Sequence, residues 1–478
     1  MTLHVYDHVT RSKKEFVPIT PGKVGMYVCG LTVQDKPHVG HMFAFVACDM
    51  IRRYLEYLGY EVTHVQNFTD IDDKIINKAA EEGIGFREVA DRNIDLYHQY
   101  AAELNLQPAH HYPLATENID GIISYIEKLI EKDHAYAVGS DVYFKVRSFK
   151  EYGQLSGRNV DDMITGTRVE LDEKKQDSLD FALWKGAADG EPSWESPWGA
   201  GRPGWHIECS VMSASILGDH FDFHGGGRDL LFPHHENERA QSCSCTGEKF
   251  VNYWLHNGLL FLGDKKMSKS DGNFFAMGEV LEKFRPEIIR FFLLNAHFRS
   301  QIDYSEERLK EAESALDRLK RTAVKLQEMV QVAEKRDLTE PEAGVLQAVI
   351  SYRNRFFAAM DDDFNSAGAI GVLFSLSKEL NQYYSSIGDN SPAAEVISES
   401  VAFFTEGIEI LGLWRGGFAE MAKSVSSDIP EDIIALAAER DKAREEKNWA
   451  RADELRDELQ KKGYLVEDSS AGTVVKHL

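Results

Sequence analysis

A strand, a loop, a helix and a second strand follow one another between residues 24 and 68, which limits the folds open to the chain. Residues 24–29 form an apolar run that ends before Gly30, residues 44–59 carry the apolar spacing of a helix, and residues 60–68 have the composition of a strand. This order is typical of the parallel sheet of an α/β fold. Ligands of such sheets bind at the carboxyl ends of the strands, so a site is predicted just after residue 29.

The middle of the chain interrupts this pattern and then returns to it. Residues 113–204 are mixed in character and end in a stretch rich in Gly, Pro and Trp, as expected of an inserted domain. A second α/β segment covers residues 220–241 and the strand-like residues 253–262. It ends at a lysine-rich turn, residues 263–273.

Beyond about residue 305 the pattern becomes helical. Residues 305–335 and later segments to about 415 show helical periodicity with few strand signals, which predicts a helical bundle. After a short linker, residues 433–463 predict a charged helical pair, and residues 464–478 predict two short strands about a turn.

Composition and charge narrow the class of protein. With 478 residues and 43% hydrophobic content, the chain is expected to divide into about three or four domains. The net charge of −24 argues against nonspecific adhesion to nucleic acid, so any RNA contact requires a local patch of Lys and Arg. The five cysteines fall within the first 245 residues and are expected to be reduced. No export signal or run of about 18 apolar residues is apparent, which predicts a cytoplasmic protein without a membrane contact.

Two motifs are suited to phosphate chemistry. The HVGH motif enters the predicted helix, so the imidazoles of His38 and His41 gather with free backbone N–H groups near a helix N-terminus, and Gly40 permits a close approach. The KMSKS motif places the ammonium groups of Lys266 and Lys269 on a short loop bounded by glycines. Lysines that follow migrating charge in adenylation stabilise the transition state more than the ground state. Either motif alone is also compatible with a solvated surface segment.

A scattered set of side chains predicts a metal site. Cys29 ends the first predicted strand, and Cys209 lies in the segment GWHIECS. His234 and Glu238 are four residues apart, and Pro233 suits the first turn of a helix, so the two side chains are expected on one face. Two thiolates, an imidazole and a carboxylate are a credible ligand set for zinc.

The residues alone leave this ligand set open. His235 would serve almost as well as His234. Cys243 and Cys245 form a C-x-C segment that can also chelate a metal, although we prefer them as spectators. Buried thiols beside a solvated His/Glu pair would need no metal at all.

The segment HGGGRD, residues 224–229, is a further candidate for ligand binding. Three glycines let a ligand ring approach the backbone, and Asp229 can accept hydrogen bonds from a ribose. The same glycines would also suit a tight turn between a strand and a helix.

Taken together, the motifs resemble those of the cysteinyl-tRNA synthetases, which are class I enzymes, across nearly the whole chain. The segments PGWHIEC and FPHHENE around the expected metal are peculiar to that family. The matching segments are HVGH, NFTDIDDKI (67–75), GRPGWHIECS (201–210), HGGGRDLLFPHHENE (224–238), KMSKS and SYRNRFFAAMDDDFN (351–365). The chain departs from the family pattern at Gln34, Arg228 and Asp271, none of which removes a catalytic group. We hypothesise that Asp271 pairs with the neighbouring lysines and retunes the closure of their loop.

The resemblance implies a role for each candidate residue, and it favours His234 over His235. It implies one zinc ion per chain and Mg²⁺ bound with ATP. The implied residues are His38, His41, Lys266 and Lys269 for catalysis, Gly40, Asp229 and Lys269 for ATP binding, Thr69 and Trp205 for the substrate cysteine, and Cys29, Cys209, His234 and Glu238 for the metal.

The activity implied by the resemblance is the ATP-dependent activation of L-cysteine to cysteinyl adenylate. The cysteinyl group is then transferred to the terminal ribose hydroxyl of tRNA-Cys for protein synthesis. A metal position that takes a thiolate would distinguish cysteine from serine without an editing domain. ATP, L-cysteine and tRNA-Cys are the implied partners, and a monomer is expected.

The resemblance also implies an architecture. It is a class I Rossmann-like parallel-sheet catalytic domain with an inserted connective domain, followed by a helical bundle and a small mixed C-terminal domain. The expected boundaries are 1–112 and 205–258 for the two halves of the catalytic domain, 113–204 for the connective insertion, 259–304 for the KMSKS-containing linker domain, 305–425 for the helical tRNA-stem-binding bundle and 426–478 for the C-terminal anticodon-binding domain.

Two other functions share parts of this pattern. A ligase that gives cysteine to an amino sugar, as in the mycothiol pathway, would share the activating core but would not require residues 430–478. A non-catalytic RNA-binding homologue is the other alternative. The intact HVGH, KMSKS and metal sets count against it.

Overall fold

The computed structural model describes residues 2–159, 174–263, 265–266, 275–388, 390–427, 431–469 and 472–477. At Lys266 it describes the backbone alone, and Lys269 and Asp271 lie outside the described residues. None of the described helices combines the length and the apolar content that a bilayer span requires.

The described strands, labelled in chain order, form five sheets. They are β1 (His4–Asp7), β2 (Ser12–Glu15), β3 (Lys23–Thr32), β4 (Glu61–Thr69), β5 (Ala135–Val138), β6 (Asp141–Phe144), β7 (Phe181–Gly186), β8 (Gly201–Pro203), β9 (Phe221–Gly227), β10 (Val251–Asn257), β11 (Leu260–Leu262), β12 (Lys265–Lys266), β13 (Ile302–Asp303), β14 (Tyr464–Ser469) and β15 (Gly472–His477).

The described α-helices are labelled in the same way. They are α1 (Val39–Tyr57), α2 (Asp73–Glu82), α3 (Phe86–Glu103), α4 (Ile119–Glu131), α5 (Ile207–Leu217), α6 (Glu236–Thr246), α7 (Met277–Leu281), α8 (Pro286–Leu294), α9 (Glu306–Val332), α10 (Glu340–Met360), α11 (Ser366–Ile387), α12 (Ala394–Leu411), α13 (Gly417–Ser427), α14 (Glu431–Glu445) and α15 (Trp449–Lys461).

A parallel sheet with the strand order β10-β9-β3-β4 forms the centre of the first part of the chain. Helix α1 connects β3 to β4, and helix α6 connects β9 to β10, as parallel neighbours require. Strand β9 is buried along nearly its whole length, which is typical of a sheet covered on both faces. The predicted α/β fold with a parallel sheet is therefore confirmed.

An antiparallel sheet with the order β5-β6-β7-β8 interrupts this parallel sheet in the sequence. Together with α4 it builds an apolar cluster of its own around Leu129, Phe144 and Trp184. Ile207 and Val211 of α5 belong to the same cluster. The cluster therefore packs the inserted sheet against the helix that carries Cys209.

The helices from α9 to α13 share one continuous core with the parallel sheet. Met50 of α1, Leu309 of α9, Leu373 of α11 and Phe404 of α12 all belong to the same buried cluster. The C-terminal segment is different, because α14, α15, β14 and β15 enclose a separate small cluster around Leu459. The predicted helical pair and terminal strands are both present.

Some local expectations from the sequence differ from the structure. Residues 253–262 form two strands in different sheets, because Gly258 passes so close to Ser300 that a Cβ atom would lie 1.8 Å from its carbonyl oxygen. Strand β3 continues through Gly30 to Thr32 instead of ending before the glycine. The hairpin of β1 and β2 was not predicted.

Candidate functional site

A cavity of about 420 Å³ lies at the carboxyl ends of all four strands of the parallel sheet. The last residues of these strands, Thr32, Thr69, Gly227 and Asn257, line it. Most of the residues singled out in the sequence line it as well. These are Cys29, His38, Gly40, His41, Thr69, Trp205, Cys209, Asp229 and His234. The position predicted from the strand order alone is therefore where the candidate residues meet.

A bulge in β3 brings Cys29 to the base of the cavity. Val28 pairs with Gln66 and Leu31 with Phe68, so Cys29 and Gly30 together face the single residue Asn67. Such bulges change the direction of a side chain. Only glycine fits at position 30, because a Cβ atom there would lie 1.5 Å from the Asn67 carbonyl oxygen.

Four buried side chains from three parts of the chain converge beneath the cavity. Ligand atoms of Cys29, Cys209, His234 and Glu238 all lie within 4.8 Å of one another. The two Sγ atoms of the cysteines are 3.7 Å apart, and Cys29 Sγ lies 3.5 Å from Glu238 Oε1. His234 Nε2 lies 3.0 Å from the same oxygen.

These distances fit a common metal ion. Two zinc–sulfur bonds of about 2.3 Å at a tetrahedral angle place their sulfurs about 3.8 Å apart. A zinc–sulfur and a zinc–oxygen bond place their atoms about 3.5 Å apart. The observed separations of 3.7 Å and 3.5 Å are close to both values. The cluster can therefore hold a metal, and its sulfur, nitrogen and oxygen donors suit zinc.

The electrostatics of the cluster favour a charged form of three of its members. A hydrogen bond from the Cys29 thiol lowers the pKa of Cys209 to about 6. Burial opposes the protonation of His234, but the Glu238 carboxylate and Cys209 raise its pKa to about 10. Burial would raise the pKa of Glu238, yet His224 and His234 hold it well below its ordinary value. Burial raises the pKa of Cys29 well above its ordinary value.

The structure gives His234 and His235 different surroundings. His234 Nδ1 lies 2.8 Å from His206 Nδ1, and Nε2 of the same His234 ring faces Glu238. His235 Nδ1 is bonded to His256 at 2.8 Å, and its Nε2 lies 4.0 Å from Glu238 Oε1. A second group with metal-ligand spacing, Cys29, His224, His235 and Glu238, overlaps the first and contains one cysteine. Cys243 and Cys245 belong to neither group.

Helix α6 begins later than the sequence suggested. It starts at Glu236, and Pro233 lies in a kinked segment directly before it, where Phe232 has an extended backbone. Glu238 accepts at its second oxygen from His224, whose Nε2 is 2.8 Å away. His224 and His206 were not recognised from the sequence, because their contacts cross between segments far apart in the chain.

The two histidines of HVGH cap helix α1 together. The His41 N–H donates to His38 Nδ1 at 3.2 Å, and the His38 N–H donates to His41 Nδ1 at 3.4 Å. Since Nδ1 accepts in both rings, the neutral tautomers carry their proton on Nε2. Burial and the neighbouring His38 hold the pKa of His41 well below its ordinary value, so this ring is a neutral donor. The stacked rings have centroids 3.4 Å apart.

Thr69 and Trp205 lie near the metal cluster. The Thr69 hydroxyl donates to Glu208 Oε2 at 2.8 Å, and burial raises the pKa of this carboxyl well above its ordinary value. Trp205 is 38% exposed, and its ring centroid is 4.5 Å from that of His234. Both side chains therefore border the space directly above the cluster.

The glycines of HGGGRD belong to strand β9 itself, not to a turn. A Cβ atom at Gly225 would lie 3.1 Å from Cys48 Sγ of α1, and one at Gly226 would lie 2.8 Å from the His235 ring. The glycines therefore let α1 and the histidine cluster pack closely on the sheet. Asp229 follows the strand and lines the cavity.

Known families match most of the chain. Residues 15–314 match the family described as tRNA synthetases class I (C) catalytic domain, residues 355–415 match the DALR domain, and residues 426–474 match the cysteinyl-tRNA ligase anticodon binding domain. The chain is 48% identical to the cysteine–tRNA ligase of Pelobacter propionicus over 488 residues, which cover 99% of each chain. It is 46% identical to the cysteine–tRNA ligase of Thermococcus gammatolerans, with 100% of both chains covered.

Solved structures of other synthetases have a similar fold. The Mycobacterium tuberculosis methionyl-tRNA synthetase in complex with methionyl-adenylate matches with a TM-score of 0.63 and 15% identity, covering 87% of this chain and 94% of that one. A LeuRS–tRNA–LeuAMS complex from Agrobacterium radiobacter K84 matches with a TM-score of 0.62 and 10% identity, covering 86% of each chain. This likeness confirms the predicted class I fold.

Proposed function

Because this chain belongs to the cysteine–tRNA ligases, a family of class I aminoacyl-tRNA synthetases, we propose that its cavity recognises the thiol of L-cysteine through a zinc ion. In this proposal the Cys29, Cys209, His234 and Glu238 side chains hold the ion. L-cysteine is activated with Mg-ATP above it, and the cysteinyl group passes to tRNA-Cys for protein synthesis.

One observation carries the proposal. Two buried thiols, an imidazole and a carboxylate converge at the base of the cavity, with their ligand atoms within 4.8 Å of one another. A metal bound there supplies a Lewis-acid position that a thiolate takes and a hydroxyl matches poorly. Discrimination by shape alone between such similar side chains is weak, so a sulfur-specific contact makes a separate editing step unnecessary.

The protein side chains position the substrates for in-line attack. Thr69 and Trp205 enclose the cysteine above the metal cluster, which holds the substrate carboxylate toward the ATP. The neutral Nε2–H groups of His38 and His41 donate to phosphoryl oxygens at the start of α1, and Gly40 lets those oxygens approach the backbone. Asp229 accepts from the ribose of ATP.

Lys266 and Lys269 complete the site in this proposal by following charge onto the departing pyrophosphate. Strand β12 carries the Lys266 backbone beside β11, whose Leu260 lines the cavity. A lysine that reaches the leaving group as charge builds there stabilises the transition state more than the bound ATP.

The remaining parts of the chain are assigned to tRNA. We take residues 113–204 as the connective insertion, 259–304 as the linker domain that contains the KMSKS segment, 305–425 as the bundle that binds the tRNA stem, and 426–478 as the part that binds the anticodon. A cytoplasmic monomer is part of the same proposal.

Metal content and cysteine affinity test the proposal directly. We expect purified protein to carry one zinc ion per chain, and we expect Cys209→Ser to lose it and to raise the cysteine KM in ATP–pyrophosphate exchange. Cys243→Ser is the matched control, because Cys243 belongs to neither group with metal-ligand spacing. A metal-free wild-type protein with full activity would contradict the zinc assignment.

The alternative acceptor of the cysteinyl group is an amino sugar. The match of residues 426–474 to an anticodon binding domain favours tRNA as the acceptor. Charging of a tRNA-Cys transcript beside an amino-sugar acceptor distinguishes the two. We expect cysteine on the tRNA alone.

A further inference from the structure

Lys74 stands apart from the other residues of the cavity. Lys74 is the only basic side chain, lysine or arginine, among the described residues that line the cavity. Lys74 is exposed, whereas Cys29 and Cys209 at the base are buried, so its side chain lies at the mouth of the cavity. A positive group at the mouth meets a ligand as it arrives from solvent.

Within the described part of the chain, the Lys74 ammonium group forms no ion pair. The residue is hydrogen bonded there through its backbone N–H alone. The carboxylates of the three aspartates that precede it are bonded to groups other than the Lys74 ammonium. These groups are the Thr116 backbone and hydroxyl for Asp70, the Lys74 backbone N–H for Asp72, and the Lys185 and Arg202 side chains for Asp73. The ammonium group is therefore available to an outside anion.

The position of Lys74 in its helix is unfavourable for a cation. Asp72 caps α2, so Lys74 is the second residue of that helix. The N-terminus of a helix carries partial positive charge, which favours acidic residues and disfavours lysine there. Residues that break such a local rule are expected at functional sites.

The strand order places Lys74 away from the proposed nucleoside position. Helix α2 follows β4, whereas Asp229 follows β9, and β3 lies between these two strands. Two strand spacings amount to about 10 Å. An anion at Lys74 is therefore not the part of ATP next to Asp229.

We propose that Lys74 binds a phosphodiester group in the single-stranded 3′ end of tRNA as that end reaches the cavity. The inference rests on the proposed function, which makes tRNA the acceptor. The chain carries a net charge of −24, so its overall field repels RNA and a local cation at the mouth has to compensate. A lysine supplies such a point charge to a phosphate oxygen.

Comparing activation with charging tests this role. We expect Lys74→Gln to lower kcat/KM for tRNA-Cys roughly tenfold more than it lowers cysteine-dependent ATP–pyrophosphate exchange, which needs no tRNA. Lys74→Arg should recover most of the loss. The slope of log KM for tRNA against log salt should fall by about 0.7 in Lys74→Gln, as for one lost contact to a single strand.

Lys78 provides the matched control. It lies one turn further along α2, pairs with Glu81 and Glu82, and does not line the cavity. Lys78→Gln should change neither reaction nor the salt slope. Equal losses of exchange and charging in Lys74→Gln would overturn the inference in favour of a contact with ATP or cysteine, and unchanged charging would overturn it as well. Failure of the wild-type protein to charge tRNA-Cys would instead refute the proposed function.

Discussion

The stacked pair of His38 and His41 shows how single residues prepare the cavity for an anion. Each ring accepts a backbone N–H at Nδ1, which fixes the tautomer and leaves Nε2–H as a donor. Because burial and His38 hold the pKa of His41 well below its ordinary value, its ring stays neutral across the physiological range of pH. The Nε2–H group of His41 therefore remains a hydrogen-bond donor without a change of protonation state in that range.

For this reason we expect His41→Ala to lower cysteine-dependent ATP–pyrophosphate exchange by about 10²–10³-fold, the usual cost of one donor to developing charge. The zinc content should not change, because His41 belongs to neither metal-spaced group. His220→Ala is a suitable control, since His220 pairs with Asn252 and does not line the cavity. Near-normal exchange in His41→Ala would remove the residue from the catalytic set.

Residue types and motifs were sufficient to predict many of the residues that line the cavity, but not their supporting contacts. His234 and His235 are adjacent, so composition and spacing could not separate them. In the structure their surroundings differ, because His206 contacts the His234 ring and His256 contacts the His235 ring. These contacts join segments distant in sequence, and no local pattern encodes such pairs.

At the scale of elements, one buried ion pair joins four helices of the core. Arg290 of α8 pairs with Asp49 of α1. Its other N–H groups donate to the carbonyl oxygens of Leu411, which ends α12, at 2.9 Å and of Leu104, which follows α3, at 3.0 Å. The pair therefore fixes the bundle against the helix that begins with the HVGH motif.

We expect Asp49→Asn to lower the free energy of unfolding by about 3–5 kcal/mol at neutral pH, because it leaves the buried Arg290 charge uncompensated. Urea titration measures the change. The exposed Glu127→Gln should stay within about 0.5 kcal/mol of the wild type. A loss no larger than that of the control would show that the ion pair does not hold these helices together.

The pH dependence of this difference follows from the Asp49 pKa. Burial alone would raise it, but Arg290 and Arg53 lower it below its ordinary value. A carboxyl with a lowered pKa in the folded state contributes its stability above the unfolded pKa of about 3.9 and loses it as pH falls through the folded value. The wild type and Asp49→Asn should therefore differ by a constant amount above about pH 5 and converge below about pH 4.

Helices with a long apolar periodicity could be predicted from the sequence. The ends of strands could not be predicted where close contacts with a distant backbone segment determine them. The helix over residues 305–335 was correctly predicted and corresponds to α9. In contrast, the continuation of β3 through Gly30 depends on the approach of Asn67, and the break after β10 depends on the approach of Ser300. Both contacts come from another part of the chain.

At the scale of the whole molecule, the described residues form one large core and three smaller apolar clusters, one of which lies in the C-terminal segment. The parallel sheet and the helices from α9 to α13 share buried residues, so the expected boundary at residue 305 does not separate two cores. A change in periodicity marks a change in element type, and it carries no information about which apolar faces meet. The C-terminal cluster around Ile433, Leu459 and Tyr464 is separate from the large core.

This separation makes the two steps of the reaction independently testable. Removal of residues 428–478 takes away the C-terminal cluster and leaves the large core and the cavity complete. We expect the truncated protein to retain cysteine-dependent ATP–pyrophosphate exchange within about twofold, because surface changes away from a core cost little stability. Charging of tRNA-Cys should fall by at least tenfold, since an RNA contact proposed for residues 426–478 is lost.

Exchange and charging measured on the same preparation of the truncated protein show whether the two reactions separate. Full charging by the truncated protein would mean that tRNA recognition lies within the first 427 residues, and loss of both reactions would mean that the tail supports the cavity itself.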